Sequence, residues 1–315
     1  PCGKVIVPPR AELDTQLDVL AERGRANGAE VELWDAKQLR EMIPEARTAS
    51  GRALWSPNTA VVKPLEVVIR LEQELREQGV SFIKGCSGWT AKPECRELLL
   101  ANSGSINYRY LINCAGLQAD RVAYPFGVGH QYTLLPFKGL YWQLKKSCPI
   151  QPRCNLYPVP DLNLPFLGVH TAHNQRGEVY FGPSSTPVIG RENYQGLDGV
   201  TLRDGLSLTA SLVGKFLKNT NGLRTLSMRE LKLMRLTGVC NELSKIITGV
   251  EPQGLERSLV KVGIRSQIFD AKTQHLVNDF VVVPDERVVH ILNAISPAFT
   301  ASFAFAEYIL DTYLQ

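Results

Sequence analysis

Residues 293–310 read NAISPAFTASFAFAEYIL, and the reading of this stretch decides the fold. It follows the apolar run VVHILNA and is expected to open a helix with Ser296 as N-cap and Pro297 as the first helical residue. Ala298, Thr300, Ala301 and Ser302 keep the start of that helix small, and no charge appears before Glu307. Small side chains let a ligand or another backbone come close to helix N–H groups, and a helix N-terminus favours an anion. A core helix packed under a sheet explains the same composition, so the neighbouring segments have to choose between the two readings.

Two other segments favour a ligand. LINCAGLQAD is a strand that ends in small residues and Gly116, and cofactors sit at the strand ends of α/β sheets. GIR places Arg265 just before the final strands. Together the three elements point to a large, flat, partly anionic ligand.

The remaining chain supports a mixed α/β (α+β) fold. A strand over 2–7 stops at Pro8 and Pro9, and a helix over 10–27 stops at Gly28. EVELW is a short strand, Asp35 caps the helix AKQLREMI, and ALWSPNTAVV is extended. Pro64 starts a helix over 64–78 with Val67, Val68, Leu71 and Leu75 as its apolar stripe, and VSFIK is expected to follow as a strand. After a hairpin-like stretch over 86–107 comes the buried strand YRYLINCAG. The texture of 131–195, short strands between Pro and Gly, predicts a mostly antiparallel sheet. Residues 201–248 are helical with a break at Gly222, and the last strands turn at Pro284 and Asp285. Two interleaved regions result: an α/β one over 51–130 and 261–315, and a β-sheet with a helical insertion over 1–50 and 131–260.

The totals narrow the function classes. The 315 residues are 44% hydrophobic and 21% charged, with a net charge of +4 and no Lys/Arg block, so nucleic acid has no electrostatic footprint here. Seven scattered cysteines without a CxxC pair argue for reduced thiols in a cytosol-like compartment. No apolar run is long enough to span a membrane, and no signal peptide is expected. The opening PCGKVIVPP reads as the inside of a strand, so a truncated or processed N-terminus is expected.

Eight segments occur in this order: CGKVIV, SPNTAVVKPLEV, INCAGLQADRVA, PFKGLYWQL, LYPVPDLNLPFLGVH, GPSS, VGIRSQ and NAISPAFTASFAFAEYI. Together they resemble the FAD-dependent oxidoreductases of the D-amino-acid oxidase superfamily, and most closely their L-2-hydroxyglutarate oxidase/dehydrogenase branch. The resemblance implies an FAD-binding domain over 51–130 and 261–315 and a substrate domain over 1–50 and 131–260. It also implies a G-x-G-x-x-G cradle for the FAD pyrophosphate, which this sequence lacks: FGVGH has Gly127 and Gly129 but Tyr132 in the third place. The FAD-binding domain is therefore expected to be incomplete, without its N-terminal dinucleotide-binding unit.

The resemblance implies roles for individual residues. Ala115, Gly116 and Leu117 would line FAD, and Ser296, Pro297, Ala298 and Thr300 would face its isoalloxazine ring, where helix N–H donors steady the reduced form. His170 would be the general base that takes the hydroxyl proton of a 2-hydroxy acid. Arg265 would fork onto a substrate carboxylate, and Lys138 would add positive charge over flavin or substrate. Arg191, Tyr194, Asn58 and Thr59 are weaker candidates. A buried structural histidine, an ordinary ion pair, and a solvated lysine are the plain alternatives for His170, Arg265 and Lys138. His170 and His173 point to opposite faces of a strand, which disfavours a metal, and Cys114 reads as a small buried apolar residue. The implied reaction oxidises L-2-hydroxyglutarate to 2-oxoglutarate, with oxygen or a quinone as electron acceptor. A quinone would bring peripheral membrane contact. An amine, amino-acid or glycerol-phosphate oxidase and an inactive binding module remain open alternatives.

Overall fold

The computed structural model describes all residues except Ser87, 162–166 and Gln315, and the side chains of Arg203, Ser207, Asn221, Leu223 and Leu226 also lie outside the description. The middle of the stretch LYPVPDLNLPFLGVH therefore lies outside the described residues. The chain forms two compact units: 1–72, 139–186 and 226–263 in the first, and 73–138, 187–225 and 264–315 in the second. These boundaries differ from the expected 51–130 and 131–260. Arg52–Ser56 is paired on both sides by Lys4–Val7 and Glu32–Asp35, which ties residues after 51 to the first unit. Arg191 is forked onto Asp120, which ties its segment to the second.

The first unit contains the sheet Glu32–Asp35, Arg52–Ser56, Lys4–Val7, Asn155–Pro158, antiparallel except for its last pair. Alternation makes it one-sided: Val5 and Val7 are fully buried while Lys4 and Ile6 are half-buried on the other face. Gly3, at φ +66, has to be glycine, because a Cβ there would lie 2.0 Å from the Trp55 ring. Asp35 caps Ala36–Met42 as expected. Its carboxylate accepts from the N–H groups of Lys37 and Gln38, and the Gln38 side chain accepts from Asp35 N–H, which completes a capping box. Helix Thr15–Ala26 packs Leu17 and Ala21 against Leu54 and Val159. His170–His173 pairs antiparallel with Val179–Gly182, which pairs antiparallel with the later part of Tyr132–Leu144. Phe181, Val179, Leu156, Val5, Leu243 and Ile246 share the main core of this unit.

In the second unit, Val288–Asn293 lies between Val281–Asp285 (antiparallel) and Leu111–Asn113 (parallel), and all six of its residues are buried. Helix Ser302–Tyr313 covers this sheet with Ile309 and Phe305. The hairpin-like stretch is a separate antiparallel sheet of Trp89–Lys92, Glu97–Leu100 and Gly104–Asn107. The helical insertion forms as expected, with Leu202–Leu217 and Leu223–Leu233 parted at Gly222, φ +68.

Four expectations need correction. VSFIK is not a strand: 80–84 has no regular secondary structure and pairs with no strand among the described residues, and a ladder needs a partner for its N–H and C=O groups. The preceding helix, Pro64–Glu77, forms but buries none of its residues. The last hairpin turns at Glu286 and Arg287, not at Pro284 and Asp285, because the ladder continues to the pair Asp285 and Val288. The C-terminal helix begins at Ser302, with Ala301 as a cap residue that makes no side-chain bond. Ser296 is thus not its N-cap, and 297–301 are turns. Among the described residues no helix is long and apolar enough to cross a membrane.

Candidate functional site

Strand register settles what His170 faces in the first unit. His170 is paired with Gly182, Ala172 with Tyr180, and Tyr180 with Gln143. Paired residues share a face and alternate residues return to it, so His170, Tyr180, Gly182 and Tyr141 lie on one side of these strands. The other side carries Thr171, Phe181 and Trp142, the last two in the core. Gly182 is required here: at φ +150, a Cβ would come within 2.7 Å of the Leu140 carbonyl and 3.0 Å of the Tyr141 ring.

The chemistry of this face is specific. The Nδ1 of His170 lies 2.9 Å from the Gly168 carbonyl. A carbonyl only accepts, so Nδ1 carries the proton and Nε2 holds the lone pair. Its ring stacks on Tyr157 at 4.1 Å and 21°. Burial pushes the Tyr157 hydroxyl up to about 12, so it stays protonated at neutral pH. The Lys4 ammonium lies 5.7 Å from the same ring, and the Lys261 ammonium lies 4.7 Å from the Tyr141 ring and 4.5 Å from the Tyr180 ring. His173 turns the opposite way and bonds Asn155 and the Pro152 carbonyl. A cavity of about 310 Å³ near Gly168 and Val169 has an apolar floor of Leu13, Val159 and Ile246. On its charged rim Arg10 pairs with Asp161 and Lys245 with Glu242, both at 2.7 Å, and Arg229 stands 3.9 Å from the same Glu242.

The second unit brings the expected cofactor segments together. Leu111–Asn113 and Val288–Asn293 are parallel neighbours, with His290 beside Asn113, so their carboxyl ends face the same way. Residues 115–117 leave one end and 294–300 leave the other. Asn113 secures the first: its side-chain oxygen accepts from Ala115 N–H (3.2 Å), and its amide donates to the Ala119 carbonyl (2.8 Å) and to His290 Nδ1 (3.0 Å). Arg191 adds a bond to the Leu117 carbonyl.

These residues fit a flat cofactor. Ala115 and Gly116 are exposed, Leu117 is half-buried, and nothing lies within 4 Å of a Cβ built on Gly116, φ +53. Ser296, Pro297 and Thr300 are exposed and Ala298 is half-buried, beside Phe299 and Phe303 at 45% and 66% exposure, apolar area that a stacked ring would cover. The N–H groups of Phe299 and Thr300 make no backbone bond among the described residues, while Thr300 Oγ1 donates to Pro297 O. Asn293 Oδ1 is buried without a partner among the described residues. The Phe299 and Thr300 N–H groups lie in the turn before the helix, which begins only at Ser302, and not in a helical first turn as expected.

The other expected residues divide. Arg265 is half-buried within Leu255–Asp270, and Lys138 donates to the Tyr194 carbonyl at 3.3 Å. Arg191 is committed within the protein: it is 7% exposed and forks onto Asp120 at 2.6 and 2.8 Å. Asn58 bonds Glu30, and the Thr59 carbonyl accepts from Cys2 and Gly3 N–H. Cys114 is exposed, contrary to its buried reading, because Leu111–Asn113 ends before it. Sequence reasoning missed Tyr157, Tyr141, Tyr180, Lys4 and Lys261. A signal existed for Lys261: it stands in SLVKVGIRSQ, a strand-forming run without an acidic residue.

The family described as DAO, FAD dependent oxidoreductase, matches residues 1–312. The chain is 31% identical to "L-2-hydroxyglutarate dehydrogenase, mitochondrial" of Nematostella vectensis, covering 98% of this chain and 71% of that protein. It is 29% identical to the protein of the same name from Homo sapiens (100% and 70% covered) and 29% identical to L-2-hydroxyglutarate dehydrogenase of Salmonella houtenae (98% and 72%). Among solved structures, L-α-glycerophosphate oxidase from Mycoplasma pneumoniae with FAD bound aligns at TM-score 0.68 and 15% identity, over 97% of this chain and 71% of that one. L-Proline dehydrogenase from P. horikoshii aligns at 0.61 and 11%, over 98% and 72%. At these identities the structural likeness speaks for the fold.

Proposed function

Because the chain belongs to the family of FAD-dependent oxidoreductases, we propose that it oxidises L-2-hydroxyglutarate to 2-oxoglutarate, with His170 as the proton acceptor. The observation that carries the role of His170 is its tautomer. The Gly168 carbonyl holds the proton on Nδ1, so Nε2 is the ring nitrogen whose lone pair would take the hydroxyl proton. FAD, when bound, supplies the acceptor for the hydride that leaves C2. The hydroxyl proton passes to His170 Nε2, and the C–O single bond becomes the ketone. Tyr157, stacked at 4.1 Å, holds the imidazole plane and favours the imidazolium that forms. Residues 115–117 and 296–300 would hold the cofactor, Arg265 would bind a carboxylate with its fork, and Lys138 would add positive charge. Oxygen or a quinone would take the electrons onward.

The test is anaerobic mixing of the chain, with FAD added, against L-2-hydroxyglutarate, its D-isomer, glycerol phosphate and a set of amino acids. Loss of the flavin's visible absorbance with L-2-hydroxyglutarate alone is expected. Bleaching by glycerol phosphate or an amino acid in its place would refute the substrate. In His170→Gln the same reduction should slow by about 10²-fold or more, and an unchanged rate would remove His170 from the reaction. Reoxidation by air against a soluble quinone then separates the two acceptors.

A further inference from the structure

The geometry points to Lys261, held between the rings of Tyr141 and Tyr180, as the residue that binds the substrate carboxylate remote from the reacting carbon. This deepens the dicarboxylate reading above and rests on it. Lys261 is half-buried on Leu255–Asp270 and makes no ion pair among the described residues. Its company is aromatic: two tyrosine faces give partial compensation for the water it has lost. Burial pushes its ammonium below the usual lysine range, which marks a charge still short of a counter-ion. Lys4, beside Tyr157, is also half-buried, is lowered by burial, and has no ion pair among the described residues, so the face as a whole is positive. The carboxylate that touches this cluster, Glu178, accepts from the Tyr180 hydroxyl at 2.9 Å and from the Asn174 amide, and makes no ion pair with Lys261.

Position decides which carboxylate Lys261 takes. His170, Gly182 and Tyr141 follow one another across three adjacent strands on one face. Two strand spacings separate the first from the last, roughly 10 Å. Lys261 stands between Tyr141, at the far end of that row from His170, and Tyr180, two residues from Gly182 on the middle strand. A hydroxyl on His170 Nε2 therefore leaves Lys261 out of reach of the carboxylate bonded to the same carbon, and within reach of one three carbon–carbon bonds away. A monocarboxylic 2-hydroxy acid would leave Lys261 uncompensated. The lysine thus selects a dicarboxylate through a partner that only the right substrate supplies.

Glutarate and pentanoate, which have equal carbon chains and differ by one carboxylate, are the probes, and calorimetry on the full chain with FAD added is the assay. The chain should prefer glutarate by about 10- to 100-fold, the range of one charge-assisted hydrogen bond. Lys261→Met should erase that preference and leave pentanoate unchanged, whereas Lys261→Arg should retain most of it. A Lys261→Met chain that keeps the preference overturns the assignment and leaves the dicarboxylate reading standing. A wild-type chain without any preference overturns both. Should Lys261→Met fail to fold, the lysine ¹³Cε resonances of the wild-type chain serve instead, with that of Lys261 identified by its absence in Lys261→Arg. Glutarate should shift this signal and raise its pH midpoint, pentanoate should not, and an unmoved signal overturns the proposal.

Discussion

Removing the Asp120 carboxylate tests how the second unit holds the turn at 115–117. Asp120 and Arg191 are 8% and 7% exposed and share two bonds of 2.6 and 2.8 Å. Asp120→Ala strands a buried guanidinium, and breaking such a pair costs about 3–5 kcal/mol. Arg191 keeps the Leu117 carbonyl and has Asp204 3.7 Å from its Nε, so the lower end, about 3 kcal/mol, is expected here. Arg191→Met strands the carboxylate instead and also releases Leu117, so it should cost as much or more. The double variant Asp120→Leu with Arg191→Met leaves no stranded charge and should lie within about 1 kcal/mol of the parent. Urea unfolding of all four chains gives the cycle, and hydrogen exchange at Gly116 and Leu117 should quicken in Arg191→Met. Single variants that each cost under about 1 kcal/mol and simply add would refute the buried clamp.

Other expectations follow from single contacts. Gly182→Ala forces a Cβ against the Leu140 carbonyl at 2.7 Å and should destabilise by about 2–4 kcal/mol, read by thermal melting. Asp35→Ala removes a capping box and should cost about 1 kcal/mol, with Asp35→Asn retaining most of the stability. Burial pushes the Cys154 thiol from 9.0 up to about 12, so folding favours its protonated form. That stability is fully present below 9.0 and is lost as pH rises through about 12, with a slope of at most about 1.4 kcal/mol per unit. Urea midpoints should fall across that window in the parent and fall less in Cys154→Ala. With a thiol reagent at neutral pH, the exposed Cys95 and Cys114 should react in the folded chain, Cys114 more slowly because burial pushes its thiol up, and the buried Cys148 and Cys154 only after unfolding.

Local chemistry was legible in the residues themselves. The Asp35 cap, the helix opening at Pro64, the helical break at Gly222 and the order of the last strands each depend on near neighbours in the chain. So did the family resemblance, because it was carried by short segments in order. The sequence also placed 115–117 and 294–300 after strands. Only the parallel pairing of Leu111–Asn113 with Val288–Asn293 brought those two ends to one edge. Pairing depends on a partner far away in the chain, and this is why VSFIK, strand-like in composition, forms no strand among the described residues. Register is equally non-local: a slip of one residue between His170–His173 and Val179–Gly182 would send His170 to the opposite face from Tyr141 and Lys261. Arg191 and Lys261 are both basic residues in loosely similar company along the chain. Tertiary structure gave the first a buried carboxylate and left the second between two aromatic rings, because charge compensation is settled by what packs across space.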